Sequence, residues 1–231
     1  MTAANPIFCA LDTTDAEAAA ALAHALKSAI GGIKLGLEFF IAHGPEGVRK
    51  AAAGMPLFLD LKLHDIPNTV AGAVRAIAPL GVTMTTIHAS GGAAMMKAAA
   101  DAAAQAGPAR PLLLGVTILT SLDEESLPSI GFGGTVSDSA KRLAALAQQS
   151  GLDGAVCSPH EVTGLRSQCG PGFKLVVPGI RPAGSAADDQ RRIMTPKQAM
   201  TAGADYLVIG RPITGAADPV AAAKAIAGTL R

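Results

Sequence analysis

Three charged residues, Asp60, Lys62 and Asp65, interrupt or directly follow an apolar segment that runs from Leu57 to Leu63. A charged side chain in such a segment is costly to bury unless it is paired or takes part in a reaction. Residues two apart in a β-strand point to the same face, so Asp60 and Lys62 are predicted to project side by side. An ammonium group in this setting can stabilise negative charge and donate a proton, and it can also form a structural salt bridge.

A second lysine favours the reactive interpretation over the structural one. Lys34 lies in another apolar run, from Ile33 to Leu37, and the polar residues Asn68 and Thr69 follow Asp65 closely. Ionisable groups with perturbed pKa values concentrate where reactions happen. We therefore predict that these charges belong to an active site.

The elements that must position these charges are short apolar runs alternating with alanine-rich segments of helical spacing. Eight runs have the length and composition of strands: Ile7 to Leu11, Gly32 to Leu37, Leu57 to Leu63, Thr83 to His88, Leu112 to Leu119, Gly154 to Cys157, Lys174 to Val177 and Tyr206 to Ile209. The helical segments between them include Ala16 to Ala29, Thr69 to Ala78, Ala93 to Ala104, Ser137 to Gln149 and Pro196 to Ala202.

Eight strand and helix units with continuously apolar strands predict an α/β fold, a single closed (β/α)8 TIM barrel. The predicted helix N-caps are Thr14 or Asp15, Ser137 or Asp138, and Thr195 ahead of Pro196. The glycines that end helices before the next strand are Gly31, Gly81, Gly107, Gly151 and Gly203. A doubly wound sheet is the alternative, although the first strand lacks the glycine-rich turn that such sheets often carry.

The composition restricts both the fold and the partners. With 231 residues, 49% of them apolar, the chain has enough material for one large core, and we predict a single domain over residues 1–231. The 19 basic and 18 acidic residues are spread along the chain, so neither a nucleic-acid surface nor a polybasic membrane anchor is indicated. The expected partner is a small molecule.

Nothing in the sequence predicts export or a membrane span. The start lacks a basic region followed by an apolar segment, and no run of about 18 apolar residues occurs. Cys9, Cys157 and Cys169 are odd in number and lack metal-binding spacing, which favours small core residues in a reducing compartment. We predict a cytoplasmic protein.

In a TIM barrel the active site forms at the carboxyl ends of the strands, and the loops after strands seven and eight often bind phosphate. The polar residues in or after strands one to five are Asp12, Lys34, Asp60, Lys62, His88, Ser90, Thr120 and Ser121. Strand seven leads into Pro178 to Pro182, and strand eight into Gly210 to Thr214. Gly210 would let backbone N–H groups approach an anion while the Arg211 guanidinium offers further donors, although a surface arginine is the alternative.

The segment from Asp60 to Val70, with the sequence DLKLHDIPNTV, resembles the signature of the orotidine 5′-monophosphate decarboxylase family. Further segments resemble other blocks of that family in the same order: Ala10 to Asp12, Ile33 to Gly36, Val116 to Ser121, Pro178 to Arg181 and Val208 to Arg211. The resemblance covers nearly the whole chain. It implies decarboxylation of orotidine 5′-monophosphate to uridine 5′-monophosphate in pyrimidine synthesis, without a metal or cofactor.

The resemblance also implies residue roles. Lys62 would protonate the C6 carbanion left by carbon dioxide, with Lys34, Asp60 and Asp65 completing the charged network. Because that carbanion lies in an sp2 orbital that the ring cannot delocalise, a fixed ammonium group would stabilise it and then supply the proton. Asp60 would lie near the substrate carboxylate. The substrate contacts would be Asp12 at the ribose, Thr120 and Ser121 at the pyrimidine edge, Arg181, Gln190, Gly210 and Arg211 at the phosphate end, and Pro178.

Two residues are implied to act across a homodimer interface. Asp65 lies three residues after Lys62, so strand alternation does not place it on the same face, and in the resembling family it reaches the partner subunit's site. Thr69 would contact the ribose region of that shared site, with helix N-capping as its alternative role. Gln190 stands in a polar run, Asp188 to Arg192, that would otherwise be interpreted as a solvated loop.

Two other functions remain open. A magnesium-dependent sugar-phosphate decarboxylase or aldolase of the same barrel superfamily shares the Asp-x-Lys-x-x-Asp pattern, although it is not expected to carry the segment His64 to Thr69. A catalytically silent nucleotide-binding barrel is the second alternative. The sequence shows no metal-binding spacing and no cofactor motif. His64 is predicted to pack behind the third strand, and His88 is a candidate for the mouth of the barrel without a catalytic role.

Overall fold

The computed structural model describes residues 5–182 and 194–230. Its strands are β1 (Ile7–Ala10), β2 (Gly32–Gly36), β3 (Leu57–Leu63), β4 (Met84–His88), β5 (Leu112–Val116), β6 (Gly154–Val156), β7 (Lys174–Val177) and β8 (Tyr206–Ile209). Neighbouring strands pair in parallel, and β8 pairs with β1, so the sheet closes into an eight-stranded barrel. The predicted TIM barrel is confirmed, and the doubly wound alternative is wrong. The fifth strand ends at Val116 rather than at Leu119.

The helices are α1 (Ala16–Leu26), α2 (Leu37–Ala52), α3 (Pro67–Ile77), α4 (Ala93–Ala104), α5 (Val136–Gln149), α6 (Val162–Cys169), α7 (Pro196–Ala202), α8 (Arg211–Thr214) and α9 (Pro219–Gly228). The bounds predicted for α4 and α7 are confirmed, whereas α1 ends three residues before Ala29. Gly44 has a φ of 58° and kinks α2 immediately before Pro45. None of the helices within the described residues is long and apolar enough to cross a bilayer.

Side-chain caps fix where several helices begin. The Asp15 carboxylate accepts hydrogen bonds from two backbone N–H groups of α1, and Thr195 forms a capping box with Gln198 at α7, both as predicted. The cap of α5 is Thr135, whose hydroxyl accepts from the N–H of Asp138. The prediction of a cap at Ser137 or Asp138 is therefore wrong by two or three residues, because α5 begins earlier, at Val136.

Apolar side chains divide into an outer layer, between the sheet and the helices, and an inner cluster inside the barrel. The inner cluster comprises Phe8, Ala10, Phe58, Met84, Leu114, Val176 and Val208. The Phe8 ring meets the rings of Phe58 and Tyr206 edge to face, with centroids 6.5 and 5.6 Å apart. Gly32 leaves space for the Phe8 ring, since a Cβ at position 32 would lie 2.4 Å from that ring. These aromatics fill the amino end of the barrel and leave its carboxyl end to polar groups.

The three cysteines are buried free thiols, as their scattered spacing predicts. Burial and, to a smaller extent, the nearby Asp12 carboxylate raise the pKa of the Cys9 thiol to about 12. A thiol with such a pKa stays protonated and unreactive at neutral pH. Cys9 is therefore a small core residue in this fold.

Candidate active site

The carboxyl ends of the strands enclose a cavity of about 280 Å³. Nine of the predicted site residues line it: Asp12, Lys34, Asp60, Lys62, Thr120, Pro178, Arg181, Gly210 and Arg211. They come from strands or loops at β1, β2, β3, β5, β7 and β8. Barrel closure therefore brings residues from both ends of the chain to one mouth, as the fold-level argument predicts.

Asp60 is the centre of the charged network. Its Oδ2 atom lies 2.8 Å from Lys62 Nζ and 3.5 Å from Lys34 Nζ, and Lys34 Nζ also lies 3.6 Å from Asp12 Oδ1. The Asp60 side chain is 9% exposed, whereas that of Asp12 is 68% exposed. Burial acts to raise the pKa of Asp60, but the two ammonium groups and the hydrogen bonds from Lys62 and Thr86 lower it below the usual range. The Asp60 carboxylate is thus held ionised beside two cations.

Lys62 adopts a backbone conformation that is uncommon for a residue with a side chain. Its φ is 50°, in the left-handed region. The pairing of β3 with β4 is irregular at the same place: Leu59 pairs with Thr85, but the next pair joins Leu63 to Ile87. Two extra residues of β3 are accommodated there, as in a β-bulge. The Lys62 ammonium group lies beside Asp60, as strand alternation predicts. The bulge and the positive φ of Lys62 do not follow from alternation.

Three predicted site residues lie away from the cavity, and a fourth is not among the residues that the structure describes. Asp65 is exposed, and its carboxylate accepts a hydrogen bond from the N–H of Ile66. Thr69 is exposed in the first turn of α3, whose N-cap is Ile66, so N-capping is not the role of Thr69. Ser121 is exposed in the loop after β5 and does not line the cavity. Gln190 lies outside the described residues.

Two arginines, Arg181 after β7 and Arg211 after β8, line the cavity. Arg181 is buried, and its backbone N–H donates to the carbonyl of Met194, 3.0 Å away. The chain turns between β7 and Arg181 at Gly179, which has a φ of 74°. Arg211 is exposed and begins α8 directly after Gly210. Two arginines on adjacent loops can offer several N–H donors to the oxygens of a phosphate group.

Apolar residues complete the cavity wall and are missing from the sequence-based site. They are Ala10, Phe58, Val116, Ile118, Leu119, Val156, Cys157 and Val208. Those within the strands occupy the same alternating set of positions as Lys34 and Asp60. Strand alternation around a closed barrel is the signal that could have identified them.

The charged network also borders a second cavity, of about 180 Å³. Its lining consists of Leu11, Asp12, Lys34, Gly36, Leu37, Glu38, Phe39, Asp60 and Lys62. Asp12, Lys34, Asp60 and Lys62 are common to both cavities, so they form a wall between them. The two lysines can therefore be approached from two sides.

His64 and His88 lie next to each other near the carboxyl ends of β3 and β4. His64 is exposed beyond the end of β3, so the prediction that it packs behind the strand is wrong. Its ring lies 5.3 Å from that of His88, centroid to centroid. Burial lowers the pKa of the His88 imidazole, and His64 and Lys62 lower it further, while Asp60 acts in the opposite direction. His88 therefore favours the neutral form in the folded protein.

This shift predicts how stability depends on pH. The pKa of His88 is lower in the folded chain than in the unfolded chain, where it is about 6.5, so protonation favours unfolding. Its contribution to stability is complete above about pH 6.5 and is lost as the pH falls towards the folded-state pKa. Urea unfolding between about pH 7 and pH 5 measures this loss. The free energy of unfolding should fall less steeply with decreasing pH in His88→Gln than in the wild type, and the two slopes should differ by the equivalent of a fraction of one bound proton. The exposed His24→Gln is the control, and equal slopes for wild type and His88→Gln would refute the assignment.

Comparison with known proteins places this geometry in a family. The orotidine 5′-phosphate decarboxylase / HUMPS family matches residues 5–226. An orotidine 5′-phosphate decarboxylase of Paramagnetospirillum magneticum is 58% identical, covering 98% of each chain. One of Rhodospirillum rubrum is 53% identical over 98% of this chain and 94% of the relative.

A solved structure agrees with the sequence comparison. The crystal structure of orotidine 5′-phosphate decarboxylase from Lactobacillus acidophilus superimposes with a TM-score of 0.85 at 39% identity, covering 98% of this chain and 99% of that chain. Both the sequence match and the fold thus extend over nearly the whole length. The chain belongs to the orotidine 5′-phosphate decarboxylase / HUMPS family.

Proposed function

We propose that this protein is a carboxy-lyase that converts orotidine 5′-monophosphate to uridine 5′-monophosphate, with Lys62 as the proton donor. The observation that carries the proposal is the Lys62 ammonium group, 2.8 Å from the buried Asp60 carboxylate at the edge of a cavity that also contains two arginines. The names of the close relatives support the same reaction.

The polar residues that line the cavity, together with the family resemblance, support the proposed substrate contacts. The guanidinium groups of Arg181 and Arg211 bind the phosphate, with Gly210 and Pro178 as further contacts. Gln190, which lies outside the described residues, is assigned to that end by the resemblance alone. Each charge-assisted hydrogen bond to the phosphate contributes roughly 1.5–3 kcal/mol. Asp12, mostly exposed at the rim, binds ribose hydroxyls. Thr120, which lines the cavity, binds the polar edge of the pyrimidine against the apolar wall. The neighbouring Ser121 is assigned to the same edge by the family resemblance alone.

The chemical step moves one electron pair and one proton. The bond between C6 and the carboxylate breaks, carbon dioxide leaves, and the electron pair stays on C6. The Lys62 ammonium group stabilises this carbanion and then transfers a proton to it, which forms the new C–H bond. The neutral lysine regains a proton from solvent after product release. Lys34 and Asp60 keep the Lys62 side chain in place throughout.

The contacts of Asp60 favour chemistry without a metal. A magnesium ion takes carboxylate oxygens as ligands and is repelled by ammonium groups. In this site Oδ2 of Asp60 is shared by Lys62 and Lys34, and Oδ1 accepts a hydrogen bond from Thr86. A magnesium-dependent mechanism of the sugar-phosphate type would need Asp60 to exchange these partners for the ion.

We propose further that the active unit is a homodimer in which Asp65 and Thr69 serve the partner's site. Within one chain, two ammonium groups surround a single buried carboxylate, and no ion pair among the described residues joins Asp65 to Lys62 or Lys34. The second cavity gives another carboxylate access to those lysines. Lys34 also contacts the exposed Asp12 of its own chain, at 3.6 Å, so Asp65 of a second copy would supply a further carboxylate chiefly to Lys62.

Exposed apolar residues support a dimer at the carboxyl face of the barrel. Among the described residues the large ones are Leu37, Ile41, Ile66, Leu119 and Ile130, which lie in the loops and helices that follow β2, β3 and β5. Ile66 is adjacent to Asp65, and Leu37 borders the second cavity. An apolar surface around an incomplete charged site is the composition expected of a subunit interface. The whole chain would then act as one catalytic domain of a cytoplasmic enzyme.

The reaction is tested by following the loss of orotidylate absorbance with purified protein. We expect turnover that is unchanged by a chelator such as EDTA, because the charged network supplies the positive charge that a metal would otherwise provide. Loss of turnover in EDTA with recovery on adding magnesium would favour the sugar-phosphate type of mechanism. Binding of uridine 5′-monophosphate without any turnover would favour a silent nucleotide-binding barrel.

The role of Lys62 is tested by Lys62→Ala. We expect kcat to fall by roughly 10³-fold or more, because both the carbanion-stabilising charge and the proton are removed. The matched control is Lys97→Ala, which removes an exposed lysine paired with Asp101 on α4 and should leave kcat unchanged. Folding is verified by circular dichroism. Near-normal turnover of folded Lys62→Ala would contradict the mechanism.

The shared site is tested by mixing two inactive variants. In a hybrid dimer of Lys62→Ala with Asp65→Ala, one site carries both changes and the other carries neither. Random exchange of subunits should therefore restore about a quarter of the wild-type sites. Mixing Lys62→Ala with Lys34→Ala is the control, since both lysines contact Asp60 of their own chain and no intact site can form. Equal recovery in both mixtures, or none in either, would argue against Asp65 acting across the interface.

A further inference from the structure

Thr86 lies in the middle of β4 and is fully buried. Its hydroxyl makes two hydrogen bonds to the charged network: Oγ1 accepts from the backbone N–H of Lys62 and donates to Oδ1 of Asp60, each at 2.8 Å. Thr86 does not line either cavity that borders the network. It therefore contacts the catalytic residues from behind without reaching the substrate.

The hydrogen bond from Lys62 falls where the sheet pairing fails. Between the pairs Leu59–Thr85 and Leu63–Ile87, three residues of β3 face a single residue of β4, Thr86. In a regular ladder the N–H of Lys62 would donate to a backbone carbonyl, but here it donates to the Thr86 hydroxyl. That hydrogen bond holds Lys62 at a φ of 50°, a conformation that persists only where its surroundings enforce it.

The hydrogen bond to Asp60 fixes the other half of the ion pair. A hydroxyl has one proton to donate and two lone pairs that can accept, so a single threonine satisfies both Asp60 and the Lys62 backbone. With Oδ1 held by Thr86, Oδ2 is turned towards Lys62 and Lys34. Valine has nearly the same shape as threonine and can make neither bond.

We propose that Thr86 is a positioning residue, which sets the geometry of the Lys62 ammonium group and the Asp60 carboxylate from behind the site. This inference rests on the decarboxylation proposed above. Because the hydroxyl acts on the reacting groups and not on the phosphate or ribose contacts, its loss should reduce kcat while leaving KM nearly unchanged.

The neighbouring Thr85 provides a matched control. It is also fully buried in β4, and its hydroxyl donates to the carbonyl of Leu59 in β3 at 2.8 Å. Thr85 makes no hydrogen bond to the side chains of the charged network. Thr85→Val and Thr86→Val therefore remove equally buried hydroxyls from the same strand, and only the second should disturb catalysis.

The experiment compares steady-state kinetics of Thr85→Val, Thr86→Val and Thr86→Ser. For Thr86→Val we expect kcat to fall roughly 10- to 100-fold, as the loss of charge-assisted hydrogen bonds predicts. Thr86→Ser keeps the hydroxyl and should recover most of the activity, and Thr85→Val should retain wild-type kcat. The acid limb of kcat against pH should move to higher pH in Thr86→Val alone, because the Thr86 hydrogen bond helps to lower the pKa of Asp60.

Folding of each variant is measured by circular dichroism and by titration with uridine 5′-monophosphate, and Thr86→Ala replaces Thr86→Val if the latter does not fold. Wild-type kcat in the folded Thr86 variant, or an equal loss of kcat in Thr85→Val, would overturn the inference. A loss confined to KM would overturn it as well. These outcomes differ from a failure of the proposed function, in which the wild-type protein itself would not decarboxylate orotidine 5′-monophosphate.

Discussion

The interaction on which the site depends is the desolvated Asp60 carboxylate shared between Lys34 and Lys62. Removing a carboxylate from water costs several kcal/mol, and an ion pair offsets that cost only when its geometry is good and the remaining lone pairs are satisfied. Asp60 meets both conditions, because Oδ2 faces two ammonium groups and Oδ1 accepts from Thr86. Taking away either lysine would remove part of the charge compensation, and taking away Thr86 would leave a buried carboxylate oxygen without its hydrogen bond, so the network constrains the strands around it.

The barrel separates the structural and reactive parts of the molecule. At the amino ends of the strands, packed aromatic rings exclude water, and acidic residues tie neighbouring strands together. Asp205, ahead of β8, accepts from the N–H of Leu175 in β7 and pairs with Arg166 and Lys174. Asp153, ahead of β6, accepts from the N–H of Leu113 in β5 in the same way. These ties stabilise the end of the barrel that takes no part in chemistry, so that strain can be tolerated at Lys62.

Much of this arrangement follows from the sequence because it depends on local patterns. Apolar runs of strand length define all eight strands, and the barrel then brings nine separate site residues to one cavity. The positive φ of Lys62 and the role of Thr86 do not follow, because both depend on the register between β3 and β4 rather than on either strand alone. The prediction that His64 packs behind the strand is wrong for a different reason: β3 ends before it, so regular alternation no longer applies.

Three residues that the family resemblance assigns to the site do not reach the cavity within one chain: Asp65, Thr69 and Ser121. A resemblance to a family assigns residues to a site, but the fold of one chain brings together only those residues whose strands converge. Asp65 follows β3 on an exposed segment, and its carboxylate is used locally by the N–H of Ile66. Asp65 could therefore join the charged network only through contact between two subunits, and not through the folding of one barrel.

The fixed pair of Asp60 and Lys62 also gives a direction to the proposed reaction. In the proposed mechanism the excess negative charge of the substrate first lies on its carboxylate, which would be near Asp60. After carbon dioxide leaves, that charge would lie on C6, next to the Lys62 ammonium group. Two opposite charges held 2.8 Å apart produce a field that favours moving electron density away from the carboxylate and towards the ammonium group. Because the pair is already in place, no reorganisation is needed as the charge shifts, and the same ammonium group then completes the reaction by giving up its proton.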